Sequence, residues 1–402
     1  MRSSSRRLFL ALAFCSSPAA SLLASDFIVA PPFSIQTAVD AALANSDPFD
    51  TIFVQPGTYP EMVTVDYTTG VGAPQEALAI VRNTSTRPKV TLGFVIRDSR
   101  LVTVAGFKVD SIHDDGLAQI RIQDCVGVAI IDCRGTNGDD GGVHARTTHE
   151  VIVRDCLFSG MESTPGTGIG IDIEDRCAHL VKNSVADMNQ GFGIWVQADS
   201  SSILKCRTNE NGGGGIFFKG LQNGIKSCDA NANGADGIDL VGICEIKNCS
   251  ANDNVAEGIR YGEGGGVQYF GGLIKKCGTT GNGSVGISVR SDQDGVAVIK
   301  NKSKSNGSNG IRIASDRNQL IDNTCNNNTG DGNGIVVAGG TVGNCLEGNR
   351  CKGNDGEGIK INGDSSFLKL NRAKESDGIV EAAGALNNEG YGNVADGTND
   401  FP

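Results

Sequence analysis

Apolar residues in this chain come in pairs that straddle one variable position, and the pairs recur. Ile194/Val196, Ile216/Phe218, Ile238/Leu240, Ile287/Val289, Ile311/Ile313, Ile335/Val337 and Ile359/Ile361 each follow a glycine. Alternation at period two marks a strand with one buried face. The Gly-Ile pair begins at Gly170-Ile171 and returns at steps of 23, 22, 22, 21, 28, 24, 24 and 24 residues, ending at Gly358-Ile359. "GGVHAR", from Gly141, opens the same phrase with Val143.

Cys133, Ser184, Cys206, Cys228, Cys249, Cys277 and Cys325 lie nine residues ahead of a column glycine. Cys156, Ser303, Cys351 and Ala373 continue this small-residue column at altered spacing. Asn follows three residues later at Asn209, Asn231, Asn252, Asn306 and Asn328.

Each unit has room for two or three short strands and tight turns, not for a helix and a strand. One such rung cannot bury its apolar face alone. Stacked ~4.8 Å apart, rungs pair edge to edge and enclose a common core. The expected fold class is therefore all-β, a single parallel β-helix solenoid of roughly a dozen coils between Phe94 and Val394. Gly and Asn are expected where the backbone takes positive φ. The small-residue column is expected to point inward as mostly free, buried thiols. Tyr67 to Pro88 is less regular and reads as a side loop.

An open stack needs covered ends. "FSIQTAVDAALANS" places Ile35, Ala38, Val39 and Ala42 on one helical face, with Ser34 as its cap. "DTIFVQPGTYPEMVTVD" then reads as strand, Pro-Gly turn and strand. The tail "NNEGYGNVADGTNDFP" reads as a last loose turn. Arg2, Arg6 and Arg7 followed by "LFLALAFC" and "SPAASLLAS" read as a secretory signal over residues 1–25. The expected organisation is this segment, an N-terminal cap over 26–93, and the β-helix with its C-terminal cap over 94–402.

The amphipathic helix, "DTIFVQPGTYPE" and the Gly-Ile/Asn-rich coils together resemble the right-handed parallel β-helix superfamily, pectin-lyase-like. The resemblance spans essentially all of the chain after residue 25. It implies a right-handed coil and polysaccharide bound on the outer face of one strand ladder.

Composition narrows the rest. Gly is high at 56 residues with only 10 Pro and no three-residue period, which excludes collagen. Hydrophobic residues at 39% exclude a disordered chain. Loss of the three leading arginines takes the formal charge from −11 to −14. That balance argues against nucleic acid and anionic lipid, and no basic stripe of the kind that polyphosphate binding needs is expected. No later segment can span a membrane. The expected product is a secreted, periplasmic or cell-surface protein, a monomer, with a neutral or acidic glycan as partner. There is no CxxC pair or Cys/His cluster for zinc.

Outward positions of the Gly-Ile strand carry the candidate chemistry. They read His144, Asp172 and Glu174, then Trp195 and Phe217, then Lys219, Asp239, Arg260, Arg290 and Arg312. His144, Asp172, Glu174, Trp195, Phe217 and Arg312 are expected to bind substrate, with the two aromatics an exposed platform for sugar rings. Asp172 and Asp239 are three rungs apart, too far for a glycosidase pair; Asp172 and Glu174 share a face at closer range. Uronate elimination or epimerisation instead needs a base and a cation at the C6 carboxylate. Lys219, Asp239, Arg260 and Arg290 are the expected catalytic set, with Ca²⁺ admitted as a further cation and no metal ligand assigned. The competing reading is an ordinary cross-strand ion pair on a non-catalytic surface or matrix protein.

Other motifs fail their contexts. "NGADGID" resembles the Asn-Thr-Asp-Gly of polygalacturonases, without the paired aspartates or Gly-His-Gly on the next rungs. "DPFD" resembles the Asp-Pro-His-Asp of alginate epimerases, without the His and ahead of the first coil. His113-Asp114-Asp115, "NGDDGG" and "TGDGNG" are polar turns that fall short of a calcium-loop pattern.

Overall fold

The structure, a computed structural model, describes residues 25–45, 47, 49–69, 77–110, 118–138, 141–162 and 168–401. The residues read as a secretory signal up to residue 24, His113-Asp114-Asp115 and Asp139-Asp140 lie outside these residues.

Parallel pairing of successive rungs builds the whole molecule, a β-solenoid of about fifteen turns with one short helix near its start. Three ladders run along it. The first contains Gly141–Arg146, Ile169–Cys177, Ile194–Asp199, Ile216–Lys226, Ile238–Lys247 and Ile259–Tyr261. The second contains Leu180–Lys182, Ser202–Leu204 and Leu273–Lys275. Ile216–Lys226 and Ile238–Lys247 are long enough to serve both ladders. The third is formed by short strands such as Lys302–Lys304 and Thr324–Asn326.

The isoleucine file is continuous. Val143 pairs with Ile171, and the register then steps through Ile194, Ile216, Ile238, Ile259, Ile287, Ile311, Ile335 and Ile359. All of these side chains are fully buried. Full burial of an isoleucine is worth about 1.5–3 kcal/mol, so this file is a main source of stability.

Three expectations are corrected. First, the glycines of the Gly-Ile pairs have no positive φ. Crowding selects them instead: a Cβ on Gly237 would sit 2.5 Å from Asn254 Nδ2 and 2.8 Å from Gly258 O. Left-handed backbone belongs to the corners, where Lys205, Ser227, Asn248, Lys276 and Lys300 all have φ between 54 and 57°.

Second, the small-residue column is two columns. In one, the Cys206 amide donates to Cys228 Sγ and the Cys228 amide to Cys249 Sγ, both at 3.4 Å. From Cys277 onward Asn takes over: the Cys277 amide donates to Asn301 Oδ1 at 2.9 Å, and Asn301, Asn323, Asn349, Asn371 and Asn393 hydrogen-bond in file. In the other, Ser303, Cys325, Cys351 and Ala373 are directly paired. A buried amide at each corner needs an acceptor, and a thiol or carboxamide from the next rung supplies it. All twelve cysteines among the described residues are free, ten of them buried.

Third, part of the expected side loop is a rung. Ala77–Arg82 pairs with Phe49–Val54 on one side and Val102–Ala105 on the other.

The ends are covered. Helix Ile35–Ala44 buries Ile35, Ala38, Val39 and Ala42, with Ser34 Oγ accepting from the Thr37 amide. Glu61 accepts from the Ile35 and Gln36 amides, so a carboxylate neutralises the positive helix end. At the far end Phe401 is buried, and its carbonyl accepts from Asn393 Nδ2 at 2.9 Å.

Candidate functional site on the outer face of the first ladder

Alternation puts every second residue of the first ladder outside, and parallel register stacks those residues in one column. Arg121, His144, Asp172, Trp195, Phe217, Asp239, Arg260, Ser288 and Arg312 pair neighbour to neighbour in that order. The sequence-derived column is therefore real. Three register steps separate Asp172 from Asp239.

The column is less open than alternation implies. Phe217 is only 8% exposed, Asp239 8% and Asp172 9%. The exposed aromatic platform is thus corrected. Trp195 stacks on Phe217 at 3.9 Å between ring centroids, 20° from parallel. Phe192 closes edge-on against Trp195 at 4.8 Å and Phe217 at 6.1 Å. Its ring lies over Gly214, where a Cβ would be 2.4 Å from Phe192 Cε1. Trp195 stays half-buried, at the rim of a self-packed cluster.

Burial leaves polar atoms without partners. His144 Nε2, Asp172 Oδ1, Trp195 Nε1, Asp239 Oδ1 and Ser288 Oγ make no hydrogen bond. Five such atoms on one solvent-side column are unusual, since buried polar groups are nearly always satisfied.

One end holds a histidine–aspartate pair. His144 Nε2 lies 3.6 Å from Asp172 Oδ2. Burial, then the charges of Arg146 and Arg121, lowers the imidazole pKa to about 4. Burial, then Glu174, raises the Asp172 carboxyl to about 7. Both groups are neutral between those values: a free imidazole base beside a carboxylic acid. Glu174 is paired with Arg146 at 2.9 Å.

The other end is an ion-pair network. Arg260 Nε is 3.7 Å from Asp239 Oδ1 and its Nη1 is 3.4 Å from Asp236 Oδ2. Arg290 pairs with Glu257 at 2.8 Å, and Lys219 reaches Glu263 at 2.9 Å. Asp292 accepts from the Glu263 and Gly264 amides. Burial raises Asp239 to about 7 although Arg260 opposes it. The structure therefore gathers the four residues expected to be catalytic, but each of the three cations already faces a carboxylate. Arg312 has no carboxylate in ion-pair range among the described residues. No group of three or more His, Cys, Asp or Glu among those residues is set to hold a metal ion.

Sequence reasoning passed over Arg121, Phe192, Glu257, Glu263 and Asp292, and set Asp236 aside with the "NGADGID" motif. One signal was available: the 28-residue step. That rung carries the extra loop bearing Glu263, and its Tyr269–Phe270 pairs with Gln293–Asp294.

On the second ladder, Lys226, Lys247 and Lys275 pair on successive rungs. No helix among the described residues is long and apolar enough to cross a membrane.

The family model for the right-handed β-helix region matches residues 75–218, 166–271 and 266–373. Among solved structures, the A-module of mannuronan C-5 epimerase AlgE6 from Azotobacter vinelandii aligns with a TM-score of 0.56 at 17% identity. The alignment covers 91% of this chain and 95% of that one. The AlgE4 A-module of the same organism aligns at 0.49 and 17%, over the same shares. At such identities the likeness concerns the fold alone. Comparison with curated proteins returns no match.

Proposed function

Because the chain belongs to the right-handed β-helix family, with a pectin-lyase-like fold, we propose that it is an exported protein that binds a uronate polysaccharide along the first-ladder column. Its His144–Asp172 end would act on the C5 proton. The observation that carries this reading is the run of buried polar atoms from His144 Nε2 to Ser288 Oγ that make no hydrogen bond. Sugar hydroxyls and a carboxylate are the partners such a run lacks.

Protonated Asp172 would donate to the uronate carboxylate and so stabilise charge developing on it. Neutral His144 would take the C5 proton. Return of a proton from solvent to the opposite face gives epimerisation; departure of the C4 oxygen, which takes up the proton held by His144, gives elimination. C-5 epimerisation is the activity in the name of the similar A-module. Trp195 would face a sugar ring at the rim of its cluster.

A second reading has its own support. Lys219, Arg260 and Arg290 are all ion-paired, which suits a non-catalytic binding surface at the Asp239 end.

The test incubates polymannuronate, polyguluronate and pectate with the protein, with and without Ca²⁺. Ultraviolet absorbance reports unsaturated product and proton NMR reports the C5 epimer. Activity abolished by His144→Ala supports the catalytic reading. Polymer retention that depends on Trp195 and Phe217, without either product, leaves the binding reading alone. Neither result overturns both. N-terminal sequencing of the mature protein tests cleavage near residue 25.

A further inference from the structure

The outer face of the second ladder carries a feature that the first-ladder reading does not use. Lys226, Lys247 and Lys275 are stacked on successive rungs. The adjoining corner adds Lys205, Lys276 and Lys300. Lys226, Lys247, Asn248, Lys275 and Lys276 line a shallow groove of about 280 Å³.

Two observations set this stripe apart from an ordinary solvated face. Like charges directly opposite in a ladder repel. Yet among the described residues only Lys247 and Lys300 have a carboxylate in range, Glu245 and Asp322 respectively. Lys205, Lys226, Lys275 and Lys276 have none, in a chain of formal charge −11. The second observation is backbone. Lys205, Lys276 and Lys300 hold φ of 54, 55 and 57° at a corner where other rungs place Asp132, Asp155, Asn183, Ser227, Asn248, Asp322 and Leu370, most of them Asp or Asn. Asp and Asn tolerate the left-handed region better than lysine. The chain keeps cations where both charge and backbone disfavour them.

We infer that this stripe is a second binding site, for a linear polyuronate laid along the long axis of the solenoid. Rungs ~4.8 Å apart offer about one cation per rung, and the polymer offers one carboxylate per sugar. Leu204 and Ile299 continue the stacked position at either end, and no aromatic ring stands there to stack a base, which disfavours single-stranded nucleic acid. The acidic remainder of the surface disfavours a dense polyphosphate. The site lies on a different ladder and stands or falls independently of the first-ladder reading.

The experiment elutes the mature full-length protein from immobilised polymannuronate and pectate with a salt gradient. Lys226→Ala/Lys275→Ala/Lys276→Ala is expected to lose about tenfold in affinity at low salt and to show a shallower salt dependence. The same three positions changed to Arg should retain binding, which separates charge from folding. Trp195→Ala/Phe217→Ala should keep the salt-dependent component. Unchanged elution of the alanine triple, or an arginine triple as weak as the alanine one, overturns the inference. So does lysine-dependent retention stronger on polyphosphate or single-stranded DNA than on polyuronate. Loss of binding confined to the Trp195/Phe217 variant sinks this site and leaves the first-ladder reading intact.

Discussion

At the scale of the residue, burial decides the chemistry. Asp172 titrates at about 7 in the fold against an ordinary 3.8. Below 3.8 both folded and unfolded chains are protonated, and burial carries no electrostatic cost. Between 3.8 and 7 the unfolded chain ionises while the fold keeps its proton, so stability falls as pH rises through that window. Asp239 behaves in the same way. His144 runs in the opposite sense: its pKa drops from 6.5 to about 4, so its contribution is lost as pH falls through that range. Asp172→Asn should match the wild type near pH 4 and gain up to about 4 kcal/mol over it at pH 8, read from denaturant midpoints. A difference independent of pH would refute the raised pKa. On the proposed chemistry, activity needs neutral His144 and protonated Asp172. Its pH profile should be a bell with limbs near 4 and 7. Crowding acts at this scale too. Gly237→Ala should cost about 1–3 kcal/mol in thermal or denaturant unfolding, because its Cβ would meet Asn254 and the Gly258 carbonyl.

At the scale of the element, the corners carry the demand. Each turn from strand to strand buries an amide that the ladders do not pair, and the next rung answers with a side chain. Thiol and carboxamide are two forms of one solution, the thiol being the weaker acceptor. Cys228→Ala removes the acceptor of the Cys206 amide and should cost about 1–3 kcal/mol. Cys228→Ser keeps an acceptor and should cost less; equal losses would mean that packing alone holds the column. Asn323 accepts from the Asn301 amide and side chain and donates to the Val298 carbonyl. Its replacement by Ala should therefore be more damaging than that of Cys228.

At the scale of the whole molecule, the ladders pair each rung with its immediate neighbours, so stability is close to a sum of nearest-neighbour terms. Amide exchange should be slowest in the central rungs around Ile238 and fastest in the last turn, Glu389–Tyr391 to Thr398–Asn399, which has a partner on one side only. Uniform exchange along the rod would contradict that picture. The same stacking makes the solenoid a ruler. It brings His144 beside Asp172 and lines up three lysines from three rungs, contacts that no single repeat contains.

Sequence periodicity alone determined the coil, the internal isoleucine file and the outward column. Each follows from local alternation repeated at a steady step, and parallel stacking adds nothing but register. Tertiary structure decided everything that depends on what leans over that column. Phe192 closing on Trp195, the loop from the 28-residue step reaching Lys219, and the burial that moves Asp172 and Asp239 all come from side chains on neighbouring rungs. So does the split of one cysteine column into two. Alternation tells which way a side chain points, but only the packed rungs determine how much water it keeps.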